Sequence, residues 1–269
     1  MSIQMILLES KQLLRSRWIQ IVTLLFAVVF TSILMIQHLA MPATGFNRQT
    51  ASLLNILLFL LPLFMLTIGS MNIASDVESG WLGLLRTYPL RLVEYVMAKY
   101  IALLFIFSGM VAFVFALSFF VGSFVGGLKL PGFAIYITLF ALFIFNALSI
   151  LIGSLAKSRL HALALGLGVW SFVTLLFSYL MMAIGTVTSE NVLQKLVIVS
   201  IHLNPLEWIR YCFFVFSDQT AVLGPAFYGM STFYTSAVGG LFIVLISGFW
   251  VVLALVAATI TLTIRGKRA

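Results

Sequence analysis

The run YIALLFIFSGMVAFVFALSFFVG, residues 100–122, holds 23 consecutive positions without a charge or a proline. That is too long for a buried strand and long enough to cross the apolar part of a bilayer as a helix, which needs about 20 residues. Five further charge-free runs have the same character, at 18–38, 51–73, 133–155, 162–184 and 241–264. Lipid offers the backbone no water to bond, so a spanning segment must be a helix or part of a closed barrel. A barrel alternates apolar and polar residues, whereas these runs are apolar throughout. The expected fold is therefore all-α: one polytopic membrane domain over residues 1–269 with six transmembrane helices.

The composition agrees. Charged residues are 8% of the chain and hydrophobic ones 62%, against about 25% charged in an average soluble domain. The mean hydropathy is +1.18. A net charge of +8 would suggest nucleic acid in a soluble protein, but here the basic residues fill gaps between spans, where they orient helices. Glu9, Lys11, Arg15 and Arg17 precede the first run and no small-residue cleavage site follows it, so that run is expected to remain as a span and not to be a cleaved signal. Cys212 is the single cysteine, which leaves no intramolecular disulfide to form.

Orientation follows from the flanks. The N-terminal segment, the 74–99 loop, the 156–161 loop and the C-terminal tail hold 11 of the 15 Lys and Arg residues. Positive charge collects on the cytoplasmic side, so both termini and the 74–99 loop are expected there. Residues 3–17 place Ile3, Ile6, Leu7, Leu13 and Leu14 on one side and Glu9, Lys11 and Arg15 on the other, an amphipathic helix suited to lying along the membrane surface. The extracytoplasmic loop 185–240 contains VLQKLVIVSIHL and WIRYCFFVF, each too short or too charged to span with ease. They read as re-entrant or interfacial helices broken at Asn204-Pro205.

Several chemistries are missing. His38, His161 and His202 have no metal-ligand spacing, and there is neither an HExxH nor a GxSxG motif, so no metal or catalytic residue is assigned. No span contains an acid, which disfavours an ion-coupled transporter. Met65, Met71, Met181 and Met182 are read as apolar filler before a soft-metal path, and Asn55, Asn72 and Asn146 as groups that join helices by hydrogen bonds. There is no GxxxxGK[ST] loop; if ATP drives this protein, another chain binds it.

The densest charge lies in SDVESGWLGLLRTYPLRLVEYVMAK, residues 75–99. Within it ESGWLGLLRTY can form a short helix with Trp81, Leu82, Leu84, Leu85 and Tyr88 as an apolar ridge beside Glu78 and Arg86. Pro89 then stops it and opens the helix leading to the third span. This order (an acid, Gly, leucines, Tyr-Pro, a basic residue, then a Lys opening the next span) resembles the loop between spans two and three of ABC exporter permeases of the type-2 class. Six spans, both ends inside, the amphipathic N-terminal helix and re-entrant helices before the last span are similar too.

The resemblance implies a non-catalytic permease subunit in the cell membrane whose coupling helix, with Glu78, Trp81, Leu85, Arg86, Tyr88 and Arg91 as contact residues, sits in a separate ATPase subunit. ATP and Mg would be bound by that ATPase dimer, with no cofactor on this chain. A narrower likeness, in TYPL at 87–90, LLPLFMLTIG at 60–69 and LNPLEWIRY at 203–211, is to the permeases of nitrous-oxide reductase maturation, the NosY type. It implies a homodimer, an extracytoplasmic β-helical partner, a sulfur- or copper-related cargo, and extracytoplasmic contact or gating by Asn204, Pro205, Glu207, Trp208 and Arg210. A generic efflux permease for a drug, peptide or lipid remains the alternative, and a membrane enzyme or passive scaffold the alternative of another class.

Overall fold

The computed structural model describes residues 3–39, 48–85, 91–124, 132–217 and 219–266. Among these the secondary structure is helical, and six helical segments are long and apolar enough to cross a membrane: Arg17–Ile36, Leu54–Glu78, Leu92–Ser123, Ile135–Leu155, Arg159–Gly185 and Ala237–Arg265. In chain order the helices are α1 (Ile3–Leu14), α2 (Arg17–Leu39), α3 (Arg48–Phe64), α4 (Ser70–Glu78), α5 (Trp81–Leu85), α6 (Leu92–Ser123) and α7 (Gly132–Leu155). They continue with α8 (Arg159–Ser171), α9 (Phe177–Gly185), α10 (Glu190–Leu203), α11 (Pro205–Phe216), α12 (Tyr228–Thr235) and α13 (Ala237–Gly266).

Two of the spans are interrupted by a single π turn. Met65–Gly69 joins α3 to α4 and Phe172–Leu176 joins α8 to α9. The first follows Pro62, whose missing N–H and bulky ring disturb the α-helical ladder within its own turn. Around this π turn the helices come close. A Cβ on Gly153 of α7 would stand 2.6 Å from the Ser70 carbonyl oxygen and 2.7 Å from the Ile73 side chain, so a hydrogen at that position is what lets α7 touch α4. Small residues at such crossings replace the hydrophobic drive that lipid cannot supply between spans.

The helices run past the ends of the charge-free runs. The second span continues to Glu78 and the third begins at Leu92, so Asp76 and Lys99, expected in a polar connection, are helical and buried. A helical residue on an inward face keeps pointing inward whether or not it is apolar. Four residues further, Gly80 adopts a left-handed φ of 73° just beyond the last turn of α4. Its N–H is donated to the Val77 carbonyl and that of Ser79 to Ser75, closing the helix as a C-terminal glycine does. The single helix expected from Glu78 to Tyr88 is accordingly divided: Glu78 ends α4, and α5 starts afresh at Trp81.

Candidate functional site

Lys99 of α6 has no accessible surface, and its ammonium has three polar partners. It donates to Glu9 Oε2 of α1 at 2.6 Å and to Asn72 Oδ1 of α4 at 3.0 Å, and it pairs with Asp76 Oδ2 of α4 at 2.8 Å. The Tyr95 hydroxyl donates to the same Asp76 oxygen at 2.7 Å. Three helices thus meet at one cation, each supplying side chains from one face: Asn72 and Asp76 are four residues apart, as are Tyr95 and Lys99. Two carboxylates share a single ammonium in a site closed to water. Burial pushes the Glu9 carboxyl above its ordinary 4.5; Lys99 opposes that rise and Asp76 adds to it.

The opposite side of α4 is held as well. The Arg159 backbone N–H, at the start of α8, donates to Glu78 Oε2 at 2.9 Å, and its guanidinium donates to Ser75 Oγ at 2.6 Å. Nearby, the Arg265 guanidinium of α13 donates to the Leu155 and Ala156 carbonyls at the end of α7. The ends of spans two to six that carry the basic residues are tied together in this way, and α1 joins them through Glu9. Among the residues expected to contact an ATPase, Trp81 lies on the exposed side of α5; of its neighbours in the apolar ridge, Leu84 is exposed too while Leu82 is buried beneath. Arg91 precedes α6 as its exposed N-cap. Arg86 and Tyr88 lie outside the described residues, as does the side chain of Leu85.

At the other end α10 and α11 form a re-entrant hairpin with its break at Asn204-Pro205. Asn204 is extended (φ −105°, ψ 113°) and Pro205 takes the first helical position of α11, as the ring and the restricted preceding residue favour. The Asn204 side chain serves two elements: its Oδ1 accepts from the Leu206 N–H at 2.9 Å, and its Nδ2 donates to the Val173 carbonyl in the second π turn at 3.0 Å. Trp208 is fully buried, and its indole N–H donates to Ser247 Oγ of α13 at 3.0 Å. Phe216 meets the rings of Tyr136 and Phe140 on α7, so the hairpin is wedged among spans four, five and six.

This geometry separates the residues grouped by the LNPLEWIRY motif. Asn204, Pro205 and Trp208 are buried and hold the hairpin; in this conformation they cannot meet an outside protein. Glu207 and Arg210 pair at 2.8 Å on the partly exposed side. His202, given no role by its spacing in the sequence, packs against Trp208 with ring centroids 5.3 Å apart and the planes tilted by 37°. Its Nδ1 lies 2.7 Å from the Ile198 carbonyl and its Nε2 2.7 Å from the Tyr234 hydroxyl. A carbonyl only accepts, so Nδ1 bears a proton and donates to Ile198; in the neutral ring Nε2 then accepts from the Tyr234 hydroxyl.

The comparisons with known proteins agree with this architecture. Residues 3–266 match the family described as ABC-2 family transporter protein. Over 207 residues, 73% of this chain and 75% of the relative, the sequence is 28% identical to the Pseudomonas aeruginosa protein named Probable ABC transporter permease protein NosY. The Stutzerimonas stutzeri protein of the same name is 28% identical over 209 residues, with the same coverage of both chains. With six apolar spans and a family match over nearly its whole length, the chain belongs to the ABC-2 family of transporter permeases and is a multi-pass protein of the cell membrane.

Proposed function

We propose that this permease couples ATP hydrolysis by a separate ATPase dimer to transport, and that the α4–α5 elbow is where the ATPase docks. The observation that carries the reading is the elbow itself. Gly80 turns the chain sharply out of span two, α5 presents Trp81 and Leu84 to the exterior, and the helix behind it is braced by Lys99 on one side and Arg159 on the other. A push on α5 meets a rigid lever, not a loose loop, and rigid-body motion is how such transporters switch access. The basic end then faces the cytoplasm, in keeping with the distribution of Lys and Arg.

The likeness to the NosY proteins supports a finer reading: a homodimer that serves nitrous-oxide reductase maturation, carries a sulfur- or copper-related species and works with an extracytoplasmic β-helical protein. Of the five residues expected at an extracytoplasmic contact, Glu207 and Arg210 are the partly exposed ones and the ones open to such a partner. A second reading, export of a hydrophobic molecule, is favoured by a groove of about 440 Å³ between α7 and α13, lined by Tyr136, Phe140, Phe143, Val244, Gly248 and Val251 among others.

Co-expression with a candidate ABC ATPase subunit tests the docking. Trp81→Ala should weaken the complex and lower its ATPase activity; a complex and an activity equal to wild type would remove the elbow from consideration. Pull-down of a β-helical extracytoplasmic protein supports the maturation role, and sensitivity to hydrophobic drugs on deletion without such a partner supports export.

A further inference from the structure

The one acid of α1 is consumed inside the protein, and this decides what the rest of the helix presents. Its inward stripe is Met5, Glu9, Ser10 and Leu13, with Glu9 on the Lys99 ammonium. Its outward side is Ile3, Leu7, Leu8 and Leu14, followed by Trp18 at the start of α2, all more than half exposed. Lys11, Arg15 and Arg17 are exposed on the same stretch and make no ion pair among the described residues. The exterior of α1 and its junction with α2 is thus apolar with three cations, Lys11 on α1 and Arg15 and Arg17 just beyond it, and no anion. Apolar side chains that enter the acyl boundary, basic stems that reach back to the headgroups and a tryptophan at the interface are complementary to an anionic phospholipid surface.

The polar inward face ties this surface to the elbow. Glu9 and Asp76 meet on the same ammonium, and Asp76 lies two positions before Glu78 and five before Trp81. We propose that α1 is a binding site for anionic phospholipid headgroups and that the Glu9–Lys99–Asp76 joint carries its seating to the α4–α5 elbow, so that leaflet charge regulates the docked ATPase. The lipid site stands on α1 and its junction with α2, whereas the regulatory half rests on the docking reading above.

The test uses the whole permease with its ATPase in vesicles of phosphatidylcholine, with and without phosphatidylglycerol. Cys212 is the single cysteine and is fully buried, so Leu7→Cys can carry a polarity-sensitive fluorophore that reports α1 directly. Phosphatidylglycerol should shift the probe to an apolar signal and raise ATPase activity several-fold. The triple change Lys11→Gln, Arg15→Gln, Arg17→Gln should abolish the probe shift.

Glu9→Leu cuts α1 from the joint yet leaves Lys99 and Asp76 as a balanced pair. The probe should still respond to phosphatidylglycerol in that variant while the ATPase no longer does. Glu9→Gln, which can still accept from Lys99, should restore the ATPase response. A probe indifferent to phosphatidylglycerol overturns the lipid site, and an ATPase that follows phosphatidylglycerol equally in Glu9→Leu overturns the joint. Failure of the docking reading shows separately, as a Trp81→Ala complex of wild-type activity beside an unchanged probe response.

Discussion

Lys99 shows how one side chain organises an end of the bundle. It is a cation with no exposed surface held by two carboxylates and an amide, and removing one member of such a set leaves an uncompensated buried charge. Lys99→Met should therefore lower stability by about 3 to 5 kcal/mol, read as a fall in unfolding temperature in detergent, whereas Glu9→Leu should cost less because one acid still faces one base. The Glu9 carboxyl also predicts a pH dependence. Its proton is held more tightly folded than unfolded, so folded protein binds more protons in the window that opens above 4.5, and stability rises as pH falls through it. Unfolding temperature measured across mildly acid pH should show this limb in the wild type and lose it in Glu9→Leu.

These groups were partly readable from spacing. The Asn72/Asp76 and Tyr95/Lys99 pairs each share a helix face, and Met5, Glu9 and Leu13 alternate an acid with apolar residues at the same interval. What the spacing cannot say is that three such faces turn toward each other. A charge at the end of an apolar run is ordinarily solvated, which is why Asp76 and Lys99 read as part of a connection.

At the scale of elements, two breaks shape the protein. Gly80 separates α4 from α5 through a positive φ that an L side chain enters at a cost of roughly 1 to 2 kcal/mol. Gly80→Ala should lower ATPase stimulation in the complex while leaving the six spans folded, which circular dichroism and activity measured together would show. Asn204 makes the other break. Asn204→Ala deletes a helix cap worth about 1 kcal/mol and strands the Val173 carbonyl, so limited proteolysis should open the α10–α11 hairpin faster than in wild type while the spans stay protected. The second break was visible in the chain, because Asn-Pro at a change of apolar pattern marks a helix start. The first was read as a continuous helix, because Glu78-Ser79-Gly80 has the look of an N-terminus as much as of a C-terminus.

For the whole molecule the testable quantity is topology. Leu160, 77% exposed, follows the fourth span at the basic end, and Val187, 83% exposed, follows the fifth at the opposite end. With Cys212 buried, an impermeant thiol reagent should label Val187→Cys in intact cells and Leu160→Cys after permeabilisation; the reverse pattern would invert the proposed orientation. The number of spans, their helical nature and the place of the hairpin were legible in the chain, since length without charge and the need to satisfy every backbone group in lipid leave few choices. Which polar residues are buried was not, because it depends on how helices far apart in sequence rotate against one another. Glu9, Asn72, Asp76 and Lys99 span 90 residues of chain, and only packing turns four scattered polar side chains into one closed joint.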